Sequence, residues 1–241
     1  MKLAPATLAT SLAVGALFVI ATLSSFSVRG DEGPPTPAPA QTAGAPQPCA
    51  QDGQLFRPED LVLLEMPDRE LWQQPDVIMD ALNIADASDV ADVGAGAGWF
   101  TIRLARRVPN GTVYAQDLQR EMVTAIARRV NRVGLENVRV VQGEENSPNL
   151  PARALDAVLV VDVYPEVETH NRVTFLRSLA ESLRPKGRIG IVNYKPGGGG
   201  PGPCHERRVA SAVVEEDARQ AGLRVLSRVN LQFQYLVVIG L

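Results

Sequence analysis

The sequence predicts an α/β fold in which helices cover both faces of a mostly parallel β-sheet. From residue 89 onward, short apolar runs alternate with segments whose apolar residues recur at helical spacing, which is typical of βαβ units. A glycine-rich turn follows the first apolar run, and two further strands end the sequence. Because the connection between those two strands is too short for a parallel crossover, we expect an antiparallel strand near the C-terminus.

Length and composition fit one globular domain with appended segments. The chain has 241 residues, and 45% of them are hydrophobic, which is enough apolar material for one sizeable core. Its formal net charge of -3 argues against a nucleic-acid-binding protein, which would normally carry a basic face. We therefore expect no nucleic-acid partner.

The N-terminal residues 1–29 are predicted to be a signal peptide or a membrane anchor. Residues 8–28 carry no charge and are long enough to cross a bilayer as a helix, which takes about 20 mostly apolar residues. The run exceeds the apolar core of a usual signal peptide and no clear cleavage site follows it, so an anchor is favoured. The protein would then be attached to a membrane, or exported if the segment is cleaved. The side of the membrane stays open.

A linker is predicted over residues 30–50, which are rich in proline, alanine and glycine. Such a segment has too few large apolar side chains to bury a core, and we expect it to be disordered. The globular domain is therefore expected to comprise residues 51–241.

The globular part opens with helical segments and continues with alternating strands and helices. Apolar spacing predicts helices over 57–66 and 68–84, with Pro75 at a break or in a first turn. Seven strands are predicted from the apolar runs at 89–93, 111–117, 138–143, 155–164, 188–194, 223–229 and 234–241. Helices are predicted between them at 99–108, 120–134, 170–187 and 207–222.

The turn after the first strand contains Gly94, Gly96 and Gly98. Glycine lets a backbone come close to a ligand, and the N-terminus of the following helix supplies unpaired N–H groups. Asp117 ends the second strand roughly 20 residues later, where an acid can accept hydrogen bonds from both ribose hydroxyls of an adenosine. The pattern predicts an adenosine-containing ligand at this turn.

Two details separate this pattern from a dinucleotide site. The spacing Gly-x-Gly-x-Gly differs from the dinucleotide fingerprint Gly-x-Gly-x-x-Gly. Asp92 lies shortly before the glycines, where it would repel a pyrophosphate but not a ligand with a cationic amino-acid end. With the two closing strands, these residues resemble the class I (Rossmann-like) S-adenosylmethionine-dependent methyltransferases over about residues 72–241.

The resemblance implies S-adenosylmethionine as the cofactor and a seven-stranded sheet whose last strand is antiparallel. It also implies cofactor contacts from the glycine turn and the strand ends. The methionine part would lie against Asp92, Gly94, Ala95, Gly96 and Gly98. Asp117 would bind the ribose, and Gly143 with Glu144 would face the adenine, although Glu145 could take the place of Glu144.

Substrate-side residues are less clearly indicated. The segment VVDVYPEV resembles the family's fourth-strand motif, which would put Asp162 and Tyr164 beside the reactive methyl group. An acid at a strand end can equally cap the next helix. His205 follows the glycine-rich segment 195–203 and could reach the site, although a solvated position is favoured. That segment is either a mobile lid or, as favoured, plain disorder.

The sequence contains an aromatic pair in the first helix and a pair of cysteines. Trp99 and Phe100 could line the site, since aromatic faces attract a sulfonium cation, but packing in the core is favoured. Cys49 and Cys204 form neither a metal cluster nor a disulfide framework, and we predict no metal site. A bridge could join them in an exported domain, although two unpaired thiols are favoured.

The resemblance therefore implies a methyltransferase that moves a methyl group from the cofactor to a small or lipid-like acceptor by in-line displacement. Within that family, the sequence most resembles the small-molecule methyltransferases, such as those acting on quinone precursors. A non-catalytic binding module of the same fold is the first alternative, and a nicotinamide-dependent oxidoreductase is the second.

Overall fold

The computed structural model describes Glu65, residues 68–144 and residues 147–241. The predicted membrane segment, the linker, Cys49, Glu145 and nearly all of the helix predicted over 57–66 lie outside these residues. Across the described part of the chain, no helix combines the length and the apolar character that a membrane span requires.

The sheet has seven strands in the order β3-β2-β1-β4-β5-β7-β6. Neighbours among β1 to β5 pair in parallel, while β7 pairs antiparallel with both β5 and β6. This confirms the predicted mostly parallel sheet with an antiparallel strand at its C-terminal end. The strands are β1 Val90–Val93, β2 Val113–Asp117, β3 Val138–Gln142, β4 Leu155–Val161, β5 Leu183–Tyr194, β6 Arg224–Asn230 and β7 Gln234–Gly240.

Six α-helices accompany the sheet. They are α1 Arg69–Gln73, α2 Pro75–Ala81, α3 Trp99–Arg107, α4 Arg120–Val133, α5 Arg172–Glu181 and α6 Ser211–Gln220. The expected break at Pro75 is confirmed, because Gln74 takes a left-handed conformation between α1 and α2. Gly134 takes the same conformation and ends α4, as glycine commonly does at this position.

The core lies on both faces of the sheet. Side chains of α2 and α3 pack with one face of the strands, while those of α5 and α6 pack with the other. Along β1 the alternation is direct, since Val90 belongs to the first cluster and Ala91 and Val93 to the second. All four residues of β1 are buried, as expected for a central parallel strand.

Several predicted boundaries are wrong: the strand predicted to run to Tyr164 ends at Val161, the helix predicted from Arg207 begins at Ser211, and the largest difference lies between α5 and β5. The helix predicted to run to Gly187 ends at Glu181, and β5 begins at Leu183. A residue that precedes proline disfavours helical geometry, so Arg184 before Pro185 stops the helix early. Leu183 is buried and pairs with Leu155 of β4, which stabilises the extended conformation.

The glycine-rich segment 195–203 is held in place, contrary to the favoured expectation of disorder. Arg208 donates hydrogen bonds to the carbonyl oxygens of Gly198, Pro203 and Lys195. Cys204, which follows the segment, is disulfide-bonded. The expectation of an unpaired thiol is therefore wrong for Cys204.

Candidate active site

The glycine turn lies where the sheet reverses its winding direction, between β1 and β4. In open α/β sheets, ligands bind in the crevice at this switch point. Gly94, Gly96 and Gly98 all have positive φ angles, between 56° and 80°. A Cβ atom on Gly94 would lie 2.2 Å from Cγ2 of Val163, which follows β4. Glycine is therefore required at position 94 both for its backbone conformation and for space.

Two side chains at the end of β2 hold the glycine turn. The backbone N–H of Gly96 donates to Oδ2 of Asp117 at 2.9 Å, and that of Gly94 donates to Oε1 of Gln116 at 3.3 Å. The other carboxylate oxygen of Asp117 accepts from the backbone N–H of Gln119 at 2.9 Å. Each oxygen keeps a lone pair for a further donor, such as a ribose hydroxyl. Burial raises the pKa of Asp117 above its ordinary value.

Asp92 faces α3. Its side chain is buried, and its Oδ2 accepts a hydrogen bond of 2.6 Å from the Thr101 hydroxyl. Burial raises the pKa of Asp92 to about 6, although the hydrogen bond from Thr101 acts in the opposite direction. Gly98 begins α3, and its backbone N–H donates to the carbonyl oxygen of Ala95 at 2.8 Å. Asp92, through Thr101, and Ala95, through Gly98, therefore connect the turn to the start of α3.

The turn opens into a cavity of about 480 Å³, a size typical of sites for small ligands. Five of its lining side chains are carboxylates, and none of its described lining residues is a lysine or an arginine. Such a lining suits a cationic ligand and repels a pyrophosphate. The carboxylates are Asp117, Glu144, Asp162, Glu166 and Glu168.

Asp162 and Glu166 lie at the end of β4. Asp162 has a φ angle of 60°, and both of its carboxylate oxygens accept from Nε2 of Gln234, at 2.8 and 2.9 Å. Burial raises the pKa of each acid to about 7, with Arg69 lowering that of Asp162 and Arg207 that of Glu166. Both carboxyl groups can therefore exchange a proton near neutral pH.

Gly143 and Glu144 follow β3, as predicted. The backbone N–H of Gly143 donates to the carbonyl oxygen of Asp117, and a Cβ atom on Gly143 would lie 1.7 Å from Nε2 of Gln116. Glu144 is exposed at the cavity, and its backbone pairs with Ser147. The end of β3 thus lines the cavity together with the glycine turn.

Comparison with known proteins identifies the type of domain. Residues 90–187 match a family model described as a methyltransferase domain, and this stretch contains the glycine turn, Asp117 and the end of β4. The chain contains a class I S-adenosylmethionine-dependent methyltransferase domain. The predicted family and the predicted cofactor are thereby confirmed.

Individual relatives agree with this assignment. A solved SAM-dependent methyltransferase from Aquifex aeolicus is 29% identical, with a TM-score of 0.73, and the match covers 77% of this chain and 98% of that one. Protein-L-isoaspartate O-methyltransferase of Pyrococcus horikoshii is 30% identical, over 52% of this chain and 54% of the relative. Release factor glutamine methyltransferase of Gloeobacter violaceus is 29% identical, over 51% and 46%. The chain spans about half the length of the curated relatives it matches.

Four residues named for the site from the sequence lie elsewhere in this domain. Tyr164 is fully buried, and its hydroxyl donates to Oδ2 of Asp217 on α6 at 2.7 Å. His205 is exposed, in a 3₁₀ turn after the glycine-rich segment. Trp99 and Phe100 are buried in the core, as favoured from the sequence. The described cavity lining includes none of these four side chains.

Sequence reasoning missed several residues at the site. Glu166 lies one 3₁₀ turn beyond Asp162, and Phe175 and Ser178 of α5 line the cavity. Gln234 could have been found, because the first residue of an antiparallel strand lies at the edge where its parallel neighbours end. No spacing rule singles out Glu166 or the side chains of α5.

Proposed function

We propose that this protein transfers a methyl group from S-adenosylmethionine to a small, partly apolar acceptor. The observation that carries the proposal is the glycine-cradled cavity lined by carboxylates and by no described lysine or arginine. A nicotinamide dinucleotide would bring a pyrophosphate into that acidic lining, whereas S-adenosylmethionine brings a sulfonium cation. Electrostatics therefore favour the methyl donor.

The residues at the strand ends fit this cofactor. The bound cofactor would supply an electrophilic methyl group. Gly94 and Gly96 would lie against its methionine part, Asp117 would accept from the ribose hydroxyls, and Glu144 would accept from the adenine amino group. Asp117 already orders the glycine turn through Gly96, so one carboxylate would serve both the turn and the ligand.

We assign to Asp162 and Glu166 the role of taking up the proton that the methyl acceptor loses. An acceptor hydroxyl or ammonium group must lose a proton as its nucleophilic atom takes the methyl group. A carboxyl group whose pKa is near 7 is suited to take that proton at neutral pH. Gln234 holds Asp162 in a fixed orientation, whereas Glu166 is the freer of the two acids.

The acceptor class is inferred from the rest of the cavity. Pro148, Val167 and Phe175 line it with apolar surface, and Thr174 and Ser178 add two hydroxyl groups. An acceptor with an aromatic or lipid-like body and one polar end would match this lining. The curated relatives named above include a protein-L-isoaspartate enzyme and a release-factor enzyme, so a protein side chain is the alternative acceptor.

Calorimetric titration of the full chain with S-adenosylhomocysteine and with NADH tests the cofactor. Binding of the first without the second supports the proposal, and the reverse would overturn it. Turnover is then measured as S-adenosylhomocysteine released with a panel of phenols, hydroquinones and amines. A folded protein that binds the cofactor product yet methylates neither these compounds nor protein side chains would be a binding module.

We propose further that residues 8–28 attach the protein to a membrane. The support is the uncharged apolar run, whose length matches a bilayer-spanning helix. An apolar acceptor dissolved in the lipid would then lie close to the enzyme. Resistance of the full chain to alkaline carbonate extraction, with release by detergent, is the expected result. Recovery in the carbonate supernatant would contradict the proposal.

A further inference from the structure

A chain of hydrogen-bonded side chains joins α1 to Asp162. Nε of Arg69 donates to Oε1 of Gln73 at 2.9 Å, and Nε2 of Gln73 donates to Oε1 of Gln234 at 2.5 Å. Nε2 of Gln234 then donates to both carboxylate oxygens of Asp162. The chain therefore begins at a cation and ends at an acid that lines the cavity.

The intermediate side chains are inaccessible to water. Gln73 and Gln234 are 0% exposed, and Arg69 is 9% exposed. Buried polar groups are costly unless they are hydrogen-bonded, and here each one has a partner of the right kind. Arg69 can only donate and an ionised Asp162 can only accept, which fixes the orientation of both amides between them. Every donor in the chain consequently points toward Asp162, and such bonds polarise one another.

Contacts with α3 and β5 hold α1, where this series of hydrogen bonds begins. The Arg69 guanidinium lies 4.3 Å from the centre of the Trp99 ring, and Glu70 pairs with Arg103 on α3. The Trp72 ring lies 5.9 Å from that of Tyr194 on β5. Helix α1 precedes residues 90–187, which match the family model. The series of hydrogen bonds that reaches Asp162 therefore begins outside the matched stretch.

We propose that Arg69, Gln73 and Gln234 are positioning residues that orient the Asp162 carboxylate and favour its ionised form. Helix α1 thereby sets the pH range in which Asp162 can accept a proton. The catalytic meaning of this arrangement rests on the proposed function, whereas the effect on Asp162 itself does not.

Several charged and titratable groups act on Asp162. The amides of Gln73 and Gln234 add dipoles to the field of Arg69, and Arg208 adds a second positive charge. Glu166 and the hydroxyls of two tyrosines act in the opposite direction, because a negative charge on any of them would disfavour the ionised form of Asp162. The groups are Arg69 on α1, Arg208 before α6, Glu166 after β4, Tyr194 on β5 and Tyr235 on β7.

The test is a carboxyl ¹³C NMR titration of the full chain in detergent, labelled at aspartate. The Asp162 resonance is assigned by its loss in Asp162→Asn. In the wild type we expect a titration midpoint near 7. Gln73→Leu and Arg69→Met should each raise the midpoint by about one pH unit, which corresponds to a tenfold weaker acid. Arg69→Lys should restore most of the wild-type midpoint because it keeps the charge.

The direction of the shift separates positioning from damage to the fold. If a variant only loosened the structure, water would reach Asp162 and its midpoint would fall toward the ordinary value of 3.8. Gln220→Leu, an exposed glutamine on α6, is the matched control and should change nothing. A midpoint that is unchanged or lowered in both Gln73→Leu and Arg69→Met would overturn the proposal.

Titration with S-adenosylhomocysteine keeps this result distinct from the proposed function. If the variants raise the Asp162 midpoint but the wild-type protein does not bind S-adenosylhomocysteine, the positioning role stands and the proposed methyltransferase function fails. If the wild type binds S-adenosylhomocysteine but the variants leave the midpoint unchanged, the proposed function stands and the positioning role fails.

Discussion

Gly94 and Val163 meet across the crevice between β1 and β4 so closely that a Cβ atom on Gly94 would lie 2.2 Å from Cγ2 of Val163. The two residues directly follow the region where the sheet changes its winding direction. Gly94 lines the cavity beside Gly96, and Val163 lines it beside Asp162. Any side chain at position 94 would therefore disturb both halves of the site.

Gly94→Ala should abolish measurable binding of S-adenosylhomocysteine. The alanine would need a φ angle of +68° and would displace Val163 at the same time. Gly134→Ala is the matched control, because Gly134 has the same φ angle but open space around its Cβ position. Calorimetry should show wild-type affinity for Gly134→Ala, with a stability loss of about 1–2 kcal/mol for the left-handed alanine. Equal affinities in the two variants would contradict the role given to the contact.

Asp117→Ala should weaken S-adenosylhomocysteine binding at least about tenfold, since a charged hydrogen-bond partner is lost. It also removes the acceptors for the N–H groups of Gly96 and Gln119, so the turn itself loosens. Asp76→Ala, at an exposed acid on α2, should bind like the wild type in the same titration. Undiminished binding by Asp117→Ala would remove the ribose contact from the proposal.

The preference for S-adenosylmethionine over S-adenosylhomocysteine should grow between pH 6 and pH 8. The pKa values of Asp162 and Glu166 are raised to about 7, so both become anionic over this range beside a ligand that differs by one positive charge. We expect the ratio of the two Kd values to change roughly threefold to tenfold, or about 0.7–1.4 kcal/mol. A double variant, Asp162→Asn with Glu166→Gln, should give a flat ratio. A ratio independent of pH in the wild type would place both acids away from the sulfonium.

Asp162→Asn should stabilise the protein above pH 7. Burial raises the pKa of Asp162 from 3.8 to about 7, so ionisation favours the unfolded chain, and stability is lost as the pH rises through that range. The variant should therefore match the wild type near pH 4 and have a higher Tm at pH 8, by roughly 2–4 °C per kcal/mol recovered. Thermal unfolding followed by circular dichroism measures this. A lower Tm for the variant at pH 8 would mean that the attraction of Arg69 outweighs the burial of the carboxylate.

Tyr164→Phe should lower stability and leave cofactor affinity intact. The Tyr164 hydroxyl bonds Asp217 in the core on the α6 side of the sheet, and removing it costs about 1–2 kcal/mol. Thermal unfolding and titration with S-adenosylhomocysteine on the same sample measure both effects. Weakened binding at unchanged stability would return Tyr164 to the site.

Much of this site could be predicted because its residues follow strands directly. Gly94 and Asp117 end neighbouring parallel strands, so local pattern alone places them at one edge of the sheet. The orientation of a side chain beyond a strand end is not encoded so locally. Asp162 takes a positive φ angle, and after it a 3₁₀ turn directs Tyr164 into the core toward a residue 53 positions later.

Contacts between distant segments escape prediction for the same reason. Gln73 and Gln234 are 161 positions apart, and neither belongs to a recognisable motif. The start of β5 was missed because Pro-Lys-Gly is a common helix ending, whereas the pairing of Leu183 with Leu155 depends on the assembled sheet. Local signals predict the elements, while tertiary packing decides the contacts between them.

The strand order has a consequence for how the molecule is made. In the sheet, β6 pairs only with β7, and β7 lies between β6 and β5 although it follows β6 in the chain. Strand β7 can therefore complete its pairing only when β5 and β6 both lie beside it. Gln234 is the first residue of β7, so a half-assembled chain holds Asp162 without its hydrogen-bond donor. A chain whose β6–β7 hairpin has not paired with β5 would thus lack the contact that orients Asp162, and we expect activity during refolding to appear only once β7 is paired.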